Sequence, residues 1–285
     1  SVANDYSEKL DIHYYYKENE GRSIARNYGM EKASGEYFIF FDSDCVIPES
    51  YFEIVRKELD RNYADCFGGP DKAHESFSDI QKAINYSMTS FLTTGGIRGG
   101  KMQLEKFTPR TFNMGFSRKV FESVGGFREM FSEDIDMSTR IRQAGFSIRL
   151  IRPAYVYHKR RTSLKLFCRQ IYIFGMSRIS LYLLYPDTLK IVHLLPAAFV
   201  LGSLAMIIAS FFWPYAILPL LFYLLAIFAV SLFSNKNLKI AALSVITSVI
   251  QLGGYGIGFM KAFFLKILLG RGRDETEEIR LRKGK

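Results

Sequence analysis

Cysteine is scarce. Only Cys45, Cys66 and Cys168 occur in 285 residues, with neither the pairing of a disulfide framework nor the spacing of a zinc site. They point to a reducing compartment and to packing roles. Charge is missing altogether from two long stretches: no Asp, Glu, Lys or Arg lies between Ile191 and Ser234, or between Ile240 and Met260. That absence excludes ordinary surface helices, which need a polar face. Acidic residues fall short of basic ones, 28 against 38, for a net charge of +10, yet no nucleic-acid motif accompanies the surplus and no nucleic-acid partner is expected. The basic residues instead gather beside the charge-free runs: Lys159, Arg160, Arg161, Lys165, Arg169 and Arg178 before them, and Lys261, Lys266, Arg271 and Arg273 after. Such placement suits anionic lipid headgroups and polyphosphates and marks the cytoplasmic side of a membrane. Internal repeats and low-complexity segments are also lacking, and no signal peptide is expected ahead of the first folded element.

A spanning helix needs about 20 apolar residues. The first run is long enough for two, and Trp213-Pro214 divides it into spans at 191–212 and 214–234. A third span at 240–260 would complete a helical region over 191–269, but it would put the charged tail, 270–285, outside, against the positive-inside tendency. A partial or interfacial segment, helped by Gly253, Gly254, Gly256 and Gly258, removes the conflict; the same glycines also fit helix packing within a full span. Upstream, within 163–190, Leu164 to Tyr185 reads as an amphipathic interfacial helix.

Residues 1–162 read as one α/β domain, because strand and helix patterns alternate. A strand is expected at 11–16, a helix from Arg22 to Ala33 stopping at Gly35, and a strand from Tyr37 to Phe41 buried on both faces of a parallel sheet. Then follow a helix from Glu49 to Arg61, short strands near Asp65–Gly68 and Phe112–Phe116, and between them a helix around Asp79–Leu92 and a Gly-rich loop, Gly95–Gly100. A helix from Glu133 to Ala144 ending at Gly145 and two short strands, FSIRLI and AYVYH, complete the domain.

Three clusters can carry chemistry. Asp42-Ser43-Asp44 follows a strand, at the strand end where α/β sheets bind ligands; the pair suits Mg²⁺ or Mn²⁺ against a diphosphate, and equally a turn whose Asp caps the next helix. Glu133-Asp134-Ile135-Asp136 opens a helix. The helix dipole favours acids there, but three carboxylates in four positions exceed a cap's needs and can raise one pKa into a base's range. His158 ends a strand and precedes Lys159-Arg160-Arg161, as a metal ligand beside phosphate-facing cations or as a plain structural histidine.

The ordered series Asn19-Glu20-Gly21, Ala25-Arg26-Asn27-Tyr28-Gly29, Ala33-Ser34-Gly35-Glu36-Tyr37, Phe41-Asp42-Ser43-Asp44, Asn113-Met114-Gly115, Gly125-Gly126-Phe127, Glu133-Asp134-Ile135-Asp136 and Pro153 through His158 resembles bacterial family 2 glycosyltransferases of the GT-A fold. The resemblance covers about residues 15 to 180. It implies a GT-A-type mixed sheet with flanking helices, followed by the C-terminal transmembrane helices. It also implies an inverting, metal-dependent transfer of sugar from a nucleotide-diphosphate donor to a hydroxyl of a lipid-linked or cell-surface glycan, at a bacterial inner membrane with the catalytic domain cytoplasmic. By the same resemblance Asp44 would bind the bridging metal, Asp42 would face the ribose or the metal's water shell, and His158 would complete the metal or diphosphate environment. Asp134 would be the general base and Glu133 would orient it; Arg26 would lie near the nucleotide, with Arg160 and Arg161 facing phosphate. Two features depart from the pattern. The family's opening βαβ unit is not found, so an N-terminal truncation is expected, in keeping with Ser1 in place of an initiator Met. The Gln-x-x-Arg-Trp motif of processive members is also unmet, because Gln170 is followed by Ile173 and Phe174, and single-sugar addition is expected. The alternatives are a polyprenyl-phosphate sugar transferase and a non-catalytic partner of a polysaccharide synthase.

Overall fold

The computed structural model describes residues 5–6, 8–72, 74–95 and 107–271; the Gly96–Gly100 part of the glycine-rich loop, Arg273 and most of the basic tail lie outside them. The α/β region runs α1 (Arg22–Lys32), β1 (Tyr37–Phe40), β2 (Cys45–Val46), α2 (Tyr51–Arg61), β3 (Cys66–Gly68), β4 (Asp71–Lys72), α3 (Asp79–Thr89), α4 (Phe91–Thr94), β5 (Met114–Ser117), α5 (Arg118–Val124), α6 (Glu133–Gln143), β6 (Ile148–Leu150) and β7 (Val156–His158). Two mixed sheets result, ordered β1-β5-β3-β6 and β2-β7-β4. In the larger sheet β5 is antiparallel to both β1 and β3, and β3 is parallel to β6.

Because side chains alternate across a strand, Cys66 and Phe67 enter opposite cores. One core joins Cys66, Phe38 and Phe116 to Met30 of α1, Val120 of α5 and Met137 and Ile141 of α6. The other joins Phe67 to Tyr51 and Val55, which share one face of α2. Each large apolar side chain so buried contributes about 1.5–3 kcal/mol.

Three local expectations are corrected. Residues 11–16 form no strand: Tyr14, Tyr15 and Tyr16 are exposed, and no described strand pairs with them. The YFIFF run is not buried on both faces of a parallel sheet, since β1 lies at an edge, antiparallel to β5, and is mostly half-buried. Helix α1 ends at Lys32, with Ala33 already extended, so Gly35 is not its cap.

From Leu164 onward the described chain is helical: α7 (Leu164–Leu184), α8 (Leu195–Ser210), α9 (Leu218–Asn235) and α10 (Leu238–Ala262), the last continued by a π-helical turn to Leu268. Among the described residues, two helical stretches are long and apolar enough to cross a membrane, Pro214–Asn235 and Leu238–Leu268, of 22 and 31 residues. The expected span 191–212 is shorter: a 3₁₀ turn at Ile191–His193 precedes α8, whose 16 residues reach about 24 Å against roughly 30 Å of hydrocarbon. Helix α7 does not present a single apolar face to an interface. It packs on α10 with backbones in contact, such that a Cβ on Gly175 would come 2.1 Å from the Tyr255 carbonyl oxygen and one on Gly258 2.2 Å from that of Tyr172. The boundary expected at residue 162 is also crossed. Helices α3 and α4 dock among the C-terminal helices, where Thr247 Oγ1 donates to Ala83 O (3.0 Å), Tyr86 Oη to Ile227 O (3.2 Å), and Tyr223 Oη to Leu92 O of α4 (2.6 Å).

Candidate functional site

Strand β1 delivers the chain to the Asp42-Ser43-Asp44 turn, closed by the Cys45 amide donating to Asp42 O at 3.0 Å. The antiparallel pairing of Cys45 with His158 then brings Asp44 Oδ1 to 3.3 Å from His158 Nε2. The imidazole stacks on Phe112, centroids 4.4 Å apart, which fixes its plane. Ligand atoms of Asp44, Cys45 and His158 all lie within 4.8 Å of one another. They are not equivalent as donors: burial pushes the Cys45 thiol up to about 12, so it stays protonated, and its Sγ lies 3.6 Å from Phe112 O. A hard divalent cation would therefore be held by Asp44 oxygen and His158 nitrogen, with coordination positions left for phosphate and water. Asp44 also borders a cavity of about 590 Å³ edged by Ser76, Ser78, Tyr157, Lys159 and Thr162.

Asp42 turns to a different partner. Its Oδ1 accepts from Arg26 Nη2 at 2.9 Å, while Arg26 Nη1 reaches Glu133 Oε1 at 2.9 Å and Arg22 Nη2 reaches Glu133 Oε2 at 2.6 Å. Arg22 and Arg26 are four residues apart and so share one face of α1. The arrangement joins the Asp42 turn to the N-terminus of α6. Glu133 is 3% exposed; burial raises its pKa above the ordinary carboxylate value, and the Asp134 charge adds to that, against the two guanidinium groups. Asp134 is more open. Its Oδ2 lies 3.3 Å from Arg110 Nη1 and its Oδ1 accepts the Ile135 amide at 2.8 Å. Asp136, the third carboxylate, is fully buried and taken up by Arg128 (3.2 Å), Arg140 (2.9 Å) and the Tyr185 hydroxyl (2.7 Å), which removes it from proton transfer.

Arg160 is corrected. It does not face phosphate: its guanidinium is buried in an ion pair with Asp71, and its Nε and Nη2 donate to Asn85 Oδ1 at 3.1 and 2.9 Å. Arg161 is exposed, as is Lys159. Two of the ordered motifs turn out to be framework. Asn113 accepts from Tyr51 Oη at 2.6 Å and donates to Ala154 O at 2.8 Å. Asn27 grips the Phe127 peptide through both its N–H and its C=O (2.8 and 2.9 Å), and a Cβ on Gly126 would lie 2.3 Å from the Asn27 carboxamide oxygen. Arg22, Arg110 and Asp71 went unnoticed in the sequence. Arg22 was detectable from its four-residue spacing to Arg26, whereas Arg110 and Asp71 carry no local signal.

One mixed α/β domain thus gathers an Asp-x-Asp turn, a strand-end histidine and a Glu-Asp helix start. Residues 1–125 match the family described as Glycosyl transferase family 2. Glu133 to Asp136 and His158 lie beyond the matched residues. Similar proteins include the minor teichoic acid biosynthesis protein GgaB of Bacillus subtilis, 38% identical over 112 residues (33% of this chain, 12% of that protein). Glycosyltransferase GlyA of Streptococcus pneumoniae is 39% identical over 70 residues (24% and 10%), and an uncharacterized glycosyltransferase of Rickettsia bellii 41% over 51 (18% and 7%). The matched stretches thus span 7–12% of these relatives' own length. Among solved structures, the mannosyltransferase PcManGT of Pyrobaculum calidifontis, in complex with GDP-Man and Mn²⁺, aligns with a TM-score of 0.48 at 14% identity, over 87% of this chain and 68% of that one.

Proposed function

We propose that this chain is the catalytic part of an inverting, metal-dependent glycosyltransferase, moving a sugar from a nucleotide-diphosphate donor to a hydroxyl of a lipid-linked or cell-surface glycan. The observation that carries the reading is the juxtaposition of Asp44 and His158 at 3.3 Å beside an open cavity, with Asp134 on a separate element. An Mg²⁺ or Mn²⁺ ion, held there by Asp44 and His158, would neutralise the donor's diphosphate as it departs. Lys159 and Arg161 add exposed positive charge near the same strand end. Asp134 takes the acceptor's proton. Glu133, locked between Arg22 and Arg26, keeps the start of α6 in register with the Asp42 turn, so that donor and base sites form one rigid unit. A single displacement needs one base and one stabilised leaving group, and no covalent nucleophile.

Membrane association is supported by the apolar stretches Pro214–Asn235 and Leu238–Leu268. Phe211, Phe212, Phe222 and Phe233 are each more than 60% exposed, an apolar surface that supports a lipid-facing role. The catalytic region sits on that anchor through α3, within reach of an acceptor presented at the bilayer surface.

The test is sugar transfer from radiolabelled UDP-, GDP- and dTDP-sugars by the chain in membranes, comparing wild type with Asp134→Asn. Transfer from one donor, reduced at least about 100-fold in the variant as for a lost general base, is expected. Transfer that survives Asp134→Asn points to a phosphate acceptor, which needs little base catalysis; no transfer from any donor refutes the enzyme reading.

A further inference from the structure

Helix α6, which carries Glu133 and Asp134, begins from an uncommon backbone. Ser132 has φ 66 and ψ 37, the left-handed region, and only Lys236 joins it among the described non-glycine residues. L side chains enter that region at a cost, and they stay there when the surroundings over-determine them. Ser132 makes no side-chain cap to its own helix. Its hydroxyl lies instead 3.0 Å from Ser177 Oγ, in the middle of α7. Ser177 is buried and donates its own proton to Phe174 O at 3.0 Å, so Ser132 is the donor of the pair. A second tie lies one turn further along α6. The Tyr185 hydroxyl, just past the end of α7, donates to Asp136 at 2.7 Å, and Arg128 bonds both of them. Helix α7 is in turn seated on α10 through the close approaches at Gly175 and Gly258.

We infer that Ser177 and Tyr185 are positioning residues that set the pose of the Glu133–Asp134 turn through Ser132 and Asp136, making the C-terminal helices part of the transfer site as well as its anchor. The inference rests on the reading of Asp134 as the base. It follows from geometry: α6 starts where α7 holds it, and a base displaced by an ångström loses much of its rate.

Full-length Ser132→Gly, Ser177→Ala and Tyr185→Phe, in detergent or nanodiscs, test it. Glycine is at ease in the left-handed region, so Ser132→Gly keeps or raises thermal stability. A merely structural serine would therefore leave transfer intact. The inference expects kcat to fall about five- to tenfold, the worth of one hydrogen bond, with donor KM unchanged. Ser132→Gly combined with Ser177→Ala should be no worse than either alone, since both remove one bond. Hydrogen exchange at amides 133–137 reads the tether without the reaction and should quicken in Ser177→Ala while α10 stays protected. Wild-type kcat and unchanged exchange in these variants overturn the inference while leaving the proposed function standing. A wild-type chain that transfers nothing refutes that function instead, and the exchange result then decides the tether.

Discussion

Arg160→Met separates a framework arginine from a phosphate-binding one. Both partners of the Arg160–Asp71 pair are almost wholly buried, and Arg160 also holds Asn85 through two nitrogens while its carbonyl accepts from Gln81 at 2.9 Å. Methionine fills much of the volume but takes the guanidinium away from the buried Asp71 carboxylate, and breaking a buried pair from one side costs about 3–5 kcal/mol. For a region of this size, with roughly 2–4 °C lost per kcal/mol, the melting temperature should drop by about 6–20 °C. Adding Asp71→Asn removes the buried negative charge, so the double variant should recover at least half of the loss, about 2 kcal/mol. The assay is thermal unfolding in detergent, followed by donor KM on whatever remains folded. A variant with native melting behaviour and a tenfold higher donor KM would show that Arg160 binds phosphate, and would refute the framework assignment.

Other predictions concern packing and pH. Gly258→Val forces a Cβ to within 2.2 Å of the Tyr172 carbonyl oxygen and should separate α7 from α10, detectable as protease sensitivity around residues 175–185. Gly253→Ala on the same helix, where a Cβ meets nothing within 4 Å, should be silent. Glu133 has a raised pKa in the folded chain because of burial and the Asp134 charge, so the native state binds its proton more tightly than the unfolded state does. Stability should fall as pH rises from the unfolded Glu value of about 4.3 through that raised value, and Glu133→Gln should flatten this part of the pH–stability curve, measured as thermal inactivation.

The α/β class was legible because its signals are local: helix and strand patterns alternate along the chain, and Gly145 ends α6. The position of β1 was not, because YFIFF reads as buried whether it lies inside a parallel sheet or at an antiparallel edge. The acidic clusters and His158 stood out by type and spacing, and β2–β7 pairing joined Asp44 to His158. The Arg22–Arg26 spacing marks one helix face, but Glu133, the partner both arginines clamp, lies more than 100 residues away and no local pattern names it. Arg160 misled for a related reason. A basic run after a strand looks solvated, and only the fold brings Asp71 and Asn85 to its middle member. The glycines at 254–258 had two readings, and Gly256 and Gly258 prove to be contact points for Pro196 and Tyr172.

The most direct test of the account is Mn²⁺-dependent sugar transfer by wild type and Asp44→Ala, measured side by side across a metal titration with the donor that wild type uses. The account predicts metal-dependent turnover in wild type and a loss of at least about 100-fold in Asp44→Ala, as the leaving diphosphate goes unneutralised. Equal turnover in the two proteins, or turnover indifferent to metal, would contradict it.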